Sequence, residues 1–176
     1  MKTVLDAVKE RFSTRGFTEQ PLSDAELEKI LNAGLQAPTA ANRQELHFTV
    51  LKGTDPVLEE LEEEKNRLRG IKRGEHIFYY EAPTVIVISS EEAFHWGSLD
   101  AGIAVENMVL AAESLGLGTL IIGCIFDAMR GEKAAEYAKK LQFPEGYRFE
   151  IALAIGHTAV AKEPHTYDAN RQITRL

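Results

Sequence analysis

From Leu99 to Leu115 the sequence reads as a helix that is apolar on nearly all sides, interrupted only by Glu106, Asn107 and Glu113. A helix without a polar face has to be covered, by the rest of its domain or by a partner subunit. The chain is therefore expected to build around a central helix that Gly116 and Gly118 bring to an end. The same polar residues keep the run below membrane-spanning length. The 176 residues, 44% of them apolar, suffice for one domain with a substantial core. No repeat, low-complexity tract or linker divides them, so residues 1–176 are read as one domain.

Other elements follow from pattern and punctuation. Val4, Leu5, Val8 and Phe12 have helical spacing, giving a first helix that ends near Arg11. Ser23-Asp-Ala-Glu26 is a capping box. Behind it Leu27, Ile30, Leu31, Gly34 and Leu35 line one helical face, and Pro38 forbids continuation. Asp55-Pro56 opens a third helix with Val57, Leu58 and Leu61 inward and Glu59, Glu60, Glu62 and Glu63 mostly outward. Glu132 to Leu141 is a short helix with its charges matched to the helix dipole. Strands are expected at His47–Lys52, Thr84–Ser90, Thr119–Gly123 and Phe149–Ile155. Thr84-Val-Ile-Val-Ile is a continuous β-branched run, as in a strand covered on both faces. The order of elements predicts a sheet flanked by helices. Gln172–Leu176 has the pattern of a last strand with no local partner, one that would pair with another chain.

Charge and composition exclude some functions. The formal net charge is -7, and a nucleic-acid binder would carry a basic footprint. The start of the chain has no signal-peptide pattern, and the single cysteine, Cys124, suits a reducing cytoplasm. His47, His76, His95, His157 and His165 show no metal-ligand spacing, so no metal is expected. Arg67, Arg69, Lys72 and Arg73 form a basic run, read as a solvated face or as a flank that attracts an anionic nicotinamide cofactor.

Four segments carry chemistry. In Arg11-Phe12-Ser13-Thr14-Arg15, Arg11 and Arg15 share a face if the chain is helical; Arg11, Ser13 and Arg15 share one if it is extended. Guanidinium forks fit phosphate oxygens, and a hydroxyl adds a donor without charge. The plain alternative is arginines complementing a helix C-terminus. Ala37-Pro38-Thr39-Ala40-Ala41-Asn42-Arg43-Gln44 offers small residues for close approach of a flat ligand or a second chain. Its Asn42 and Gln44 can donate and accept at a heterocycle edge, or the segment is an ordinary loop with Asn42 in a left-handed turn. Gly123, after Leu120-Ile121-Ile122, would let backbone amides approach a ring system. In the tail, Lys162 or His165 would reach a phosphate or simply lie in a solvated loop.

Taken together and in order, these segments resemble the nitroreductase family of FMN-dependent oxidoreductases. The resemblance takes in Arg11-x-Ser13-x-Arg15 with Phe17, Ala37-Pro38-Thr39-Ala40-Ala41-Asn42-x-Gln44 and Ala82-Pro83-Thr84-Val85. It continues through Asn107 to Thr119 and ends at Ala154-Ile155-Gly156-His157. It implies a three-layer α+β fold, a central mixed sheet flanked by helices, in an intertwined homodimer with FMN in two clefts between subunits. NADH or NADPH would be the electron donor and small molecules such as nitroaromatics or quinones the acceptors, in turn, by a ping-pong mechanism. Arg11 and Ser13, with Phe12 between them, would hold the phosphate, and Arg15 would sit near it or at the pyrimidine edge. Pro38, Thr39, Ala40, Asn42 and Gln44 of the partner subunit would pack along the flavin, and Ile122 and Gly123 would line its other side. No side chain is assigned as a catalytic acid or base.

The chain departs from the family in three places. Glu45 and Leu46 stand where members often carry Pro-Trp. The segment between Ser90 and Leu99 is very short where many relatives insert helices that roof the pocket, which predicts a more open site or one closed by other segments. The tail lacks a tight basic pair, so Lys162, His165 or Arg171 would stand in at the phosphate. The alternatives are other chemistry on the same fold, or a non-catalytic flavin-storing or nucleotide-sensing dimer.

Overall fold

The computed structural model describes residues 2–72 and 77–175. Arg73 of the basic run, His76, and Leu176 at the end of the expected tail strand lie outside the described residues. Helix α1 (Val4–Glu10) starts at a Thr3 cap, and α2 (Asp24–Leu35) starts at the Ser23 capping box. A short 3-10 turn over Ala40–Asn42 leads into β1 (His47–Lys52). Helix α3 (Pro56–Arg69) is capped by the Asp55 side chain and stopped by Gly70 in the left-handed region. Then come β2 (Thr84–Glu91), α4 (Gly97–Ser114), β3 (Gly118–Ile122), α5 (Phe126–Arg130), α6 (Ala134–Lys140), β4 (Tyr147–Gly156) and α7 (Ala169–Gln172).

The sheet order is β1-β2-β4-β3, and every strand pair is antiparallel. The expected mixed sheet is mixed only through one isolated parallel bridge, Ser13 to Thr119. The reason lies in the register. Ile122 ends β3 opposite Ala152, and α5 and α6 carry the chain on before β4 begins at Tyr147 and turns back. Strand β2 is buried on both faces, as its β-branched run predicts. Val85 and Val87 point into one core with α3, α5 and α6. Ile86 and Ile88 point into the other with α2 and α4. The result is three layers: helices, sheet, helices.

Two expectations change, and the expected cover of α4 is met within the chain on one side only. Glu62 faces inward: its carboxylate accepts from Lys65 at 2.9 and 3.0 Å, from Asn66 at 2.8 Å and from the Phe78 backbone N–H at 2.8 Å. Periodicity could not show this, because a buried carboxylate is tolerated only where such donors converge. The tail is not a strand within this chain. Residues 169–172 form one helical turn, and 173–175 have no regular structure. Helix α4 is only half covered. Ala101, Ala104, Val105, Met108, Val109 and Ala112 are buried, whereas Leu99 is 56% exposed.

Glu64, also on α3, accepts from Arg67 and from Lys133, the residue just before α6. These hydrogen bonds hold its carboxyl down at about 2. Its contribution to stability is fully present above the ordinary carboxylate range and is lost as pH falls toward that value. Acid unfolding followed by circular dichroism should therefore show the Glu64→Gln variant losing less stability than the parent between pH 4.5 and pH 2. Gly53 allows the closest backbone approach in the sheet layer. A Cβ there would stand 2.1 Å from the Ala82 carbonyl oxygen, and the Gly53 N–H donates to Pro83 O at 2.8 Å. Gly53→Ala should lower stability by about 1–3 kcal/mol in urea unfolding, since backbone must move to admit the methyl.

Candidate functional site

The chain leaves α1 extended. Arg11 has φ -57° and ψ 140°. Ser13 bridges Thr119, and the Thr14 N–H donates to Thr119 O at 2.8 Å. Of the two sequence readings, the extended one holds, so Arg11, Ser13 and Arg15 alternate with inward-pointing Thr14, which is fully buried. Thr14 packs where a Cβ on Gly118 would be, at 2.6 Å from its Oγ1. This glycine therefore lets the arginine segment lie flat against β3. Arg15 donates to the Ser13 carbonyl at 3.3 Å. Neither Arg11 nor Arg15 pairs with a carboxylate among the described residues. Two guanidinium groups without a carboxylate partner among the described residues, and a hydroxyl, on one extended segment form a donor set of the kind that fits a phosphate dianion.

Arg15 shares a small cavity of about 180 Å³ with Phe78, Tyr80, Ile122, Gly123 and Cys124. A Cβ on Gly123 would meet nothing within 4 Å, so the backbone there borders open space. Burial pushes the Cys124 thiol up, which makes it a poor nucleophile. Phe12 and Lys162 line a neighbouring groove of about 310 Å³ with Gly116 and Gly118. The segment after β4 is held there by backbone bonds from Thr18 to His157 and from Ala159 to Gly16. Lys162 thus shares a groove with Phe12, and also with Glu10 and Glu113. His165 stands apart from it, exposed, with its ring near Tyr167. Arg67 and Arg69 of the basic run are engaged by Glu64 and Asp127.

The second segment folds at the other end of α4. Its geometry is set by three left-handed residues that are not glycine: Ala41 at φ 55°, Asn42 at φ 53° and Gln44 at φ 54°. Each costs about 1–2 kcal/mol for a residue such as alanine, and the loop is held by specific bonds. The Gln44 N–H donates to Thr39 Oγ1 at 2.9 Å, and Gln44 Nε2 to Asn42 Oδ1 at 3.2 Å. The Ala40 N–H donates to the Asp100 carboxylate at 2.8 Å. Arg43 pairs with Glu91 and lies over the Phe94 ring at 4.4 Å. Sequence reading missed Asp100. The available signal was an acid in the first turn of a helix that follows a strained loop.

Within one chain, then, the predicted residues do not converge. The Arg11–Ser13–Arg15 segment and Gly123 sit by β3, which follows α4. Pro38, Thr39, Ala40, Asn42 and Gln44 sit at its start. Asp100 and Ser114, where the helix ends, are separated by about 21 Å of helix at 1.5 Å per residue.

The nitroreductase family model matches residues 8–157 of the chain. A Bacillus subtilis protein named FMN reductase [NAD(P)H] is 30% identical over 189 residues, covering 93% of this chain and 70% of that one. The crystal structure of a Desulfitobacterium hafniense nitroreductase with bound FMN superposes with a TM-score of 0.87 at 32% identity, covering 100% of this chain and 99% of its own. A Bacteroides fragilis nitroreductase with bound FMN gives 0.89 at 26% identity over the full length of both chains.

The strained loop generates a direct expectation. Ala41→Gly removes the left-handed penalty and adds a smaller entropic one, so stability should rise by about 0.5–1 kcal/mol. Thermal unfolding of the two proteins side by side measures it, and a fall would mean that the left-handed backbone is not strained.

Proposed function

The chain belongs to the nitroreductase family, and on that premise we propose that it is an FMN-dependent oxidoreductase, passing reducing equivalents from NADH or NADPH to small acceptors such as nitroaromatics or quinones. The observation that carries this reading is the extended Arg11–Ser13–Arg15 segment, pinned to β3 with its guanidinium groups unpaired beside the open backbone of Gly123. When bound, FMN supplies the ring that accepts hydride from the nicotinamide and hands it on. The chain's own residues bind and orient. Arg11 and Ser13 hold the phosphate. Arg15, reaching the cavity bordered by Ile122 and Gly123, sets a positive charge at the pyrimidine edge. Phe12 and Lys162 close the phosphate side, and His165 is the alternative donor from the tail.

The remaining contacts come from a second copy of the chain. A two-fold dimer can bring Pro38, Thr39, Ala40, Asn42 and Gln44 of the partner subunit against a flavin held by the first protomer, which one chain cannot do alone. The apolar surface left open supports this. Val4 and Leu5 of α1 are 72% and 80% exposed, and Leu99 and the uncrowded Gly102 lie on the uncovered side of α4. Such a surface is normally buried against a partner. Residues 1–176 act as one domain in this reading. No helix of the described residues is long and apolar enough to cross a membrane, and the single thiol suits a cytoplasmic setting.

The spectrum of the purified protein and the flavin released on denaturation test the reading first. One FMN per chain, a mass twice that of one chain, and oxidation of NADH or NADPH with a quinone are expected. FMN bound without any such turnover would indicate a flavin-storing dimer instead. Arg11→Ala should weaken FMN by about 10–100-fold, the value of a charge-assisted bond, and leave riboflavin, which lacks the phosphate, unchanged. Equal losses for both ligands would move Arg11 away from the phosphate. Gly123→Ala should leave the apo protein's stability unchanged, because the space is open, while lowering FMN affinity where the ring lies.

A further inference from the structure

Strand β4 carries one residue more than β2 where the two pair. Ile88 pairs with Ile151 and Ser89 with Phe149, so Glu150 has no opposite number. Phe149 packs into the core with α3 and Ile151 against the core with α4, although residues two apart on a regular strand share a face. This is a β-bulge, a device that re-aims a side chain. Here it buries a carboxylate: Glu150 is 8% exposed. Its Oε1 accepts from Ser90 Oγ of β2 at 2.7 Å and from Arg148 Nε of β4 at 3.0 Å. Its Oε2 accepts from Arg130 Nη2 of α5 at 2.9 Å and from Ser98 Oγ of α4 at 2.6 Å. Burial pushes this carboxyl up, and the hydrogen bonds outweigh burial, so the net shift is downward and the group is an anion.

Helix α4 has no side-chain cap of its own, since Trp96 at its N-cap makes no such bond. Its first turn is tied down from outside instead. Gly97 lies against Ser90, where a Cβ would stand 2.2 Å from the hydroxyl. Ser98 reaches Glu150, and two residues on, Asp100 Oδ2 accepts from the Ala40 N–H at 2.8 Å. One turn of helix thus joins a buried anion in the sheet to the strained 39–44 loop. We propose that Glu150 is a positioning residue: through Ser98 it fixes the first turn of α4, and with it Asp100 and the loop whose residues meet the flavin. The anchoring half of this inference stands on hydrogen bonds within the chain. The flavin half rests on the oxidoreductase reading. Glu150 acts through Ser98 and Asp100, not on the reacting atoms.

Replacing Glu150 itself leaves Arg130 and Arg148 without their acceptor and disturbs four elements at once. The test therefore falls on Ser98, an exposed side chain whose truncation removes the link to α4 and leaves the other three bonds in place. In Ser98→Ala the Ala40 amide should exchange with deuterium about tenfold faster, the equivalent of one charge-assisted hydrogen bond. Ser98→Thr, which keeps the hydroxyl, should restore the parent rate. FMN and riboflavin should both bind Ser98→Ala about tenfold more weakly, because the loop meets the ring that they share. Thr49→Val is the control. It removes the bond from Thr49 Oγ1 to the Leu141 carbonyl on the other face of the sheet, and it should lower the thermal midpoint while leaving Ala40 exchange and flavin binding at parental values. If the Glu150 cluster only stabilises the fold, the two variants change alike, at Ala40 and in flavin affinity, and the proposal is overturned. Faster Ala40 exchange in Ser98→Ala with undiminished flavin binding overturns it too. Faster Ala40 exchange in a protein whose parent binds no flavin sustains the anchor and overturns the oxidoreductase reading instead.

Discussion

Helix α4 is packed against β2, β3 and β4 on one side and left partly open on the other, and its length sets the distance over which everything else is arranged. Ala101, Ala104, Val105, Met108, Val109 and Ala112 fill the core beneath it. The small residues let α2 and the sheet come close, and Gly34 has no room for a Cβ, which would stand 2.1 Å from the end of Met108. Because this helix is rigid and packed on the sheet along one side, its two ends cannot drift toward each other. The separation is a consequence of core packing. In the proposed dimer it would make each protomer half of a site and give the uncovered apolar stripe a reason to exist.

The two ends are held by different means. At the β3 end the arginine segment is held by a backbone bridge and by the match of Thr14 to the bare Cα of Gly118. At the other end a loop with three left-handed residues is held by side-chain acceptors, Thr39 and Asp100. Strain of this kind persists only where surrounding bonds over-determine the conformation. The contrast between two buried glutamates shows how electrostatics enters. Glu64 is buried beside two cations and is held down at about 2. Glu45 is buried beside another carboxylate and is pushed up. Burial alone fixes neither outcome; the sign of the neighbour does.

Much of this architecture was legible in the sequence, because the signals were local. The Ser23-to-Glu26 capping box, the Asp55-Pro56 start and the β-branched run after Pro83 each named an element whose limits the structure reproduces closely. What was not legible depends on contacts far apart in the chain. Helix α5 is one short turn with no periodicity of its own, stabilised by packing on β4 and by Arg130 reaching the Phe149 carbonyl and Glu150. Glu62 reads as surface by its charge, although it lies four residues after inward Leu58 on the same helical face, and its carboxylate accepts from the Phe78 N–H sixteen residues later. The candidate site divided the same way. Which residue types would meet a phosphate or a ring edge could be named from order and spacing. That they lie at opposite ends of one helix could not.

The short connection between β2 and α4 closes the argument about access. Residues 92–96 turn tightly, with Glu92 N–H donating to Gly146 O and Phe94 N–H to Glu91 O. Phe94 is covered by Arg43, and Trp96 remains 49% exposed with His95 against its edge. There is too little chain here to form a roof. The aromatic residues instead lie beside the same loop that the dimer would present to a flavin. Arg43 pairs with Glu91 and Phe94 and so anchors the loop from outside, while its charge acts against the burial that raises the Glu45 carboxyl. The loop at the start of α4 is stiffened by the Ala40 N–H bond to Asp100 and by Arg43 on Glu91 and Phe94.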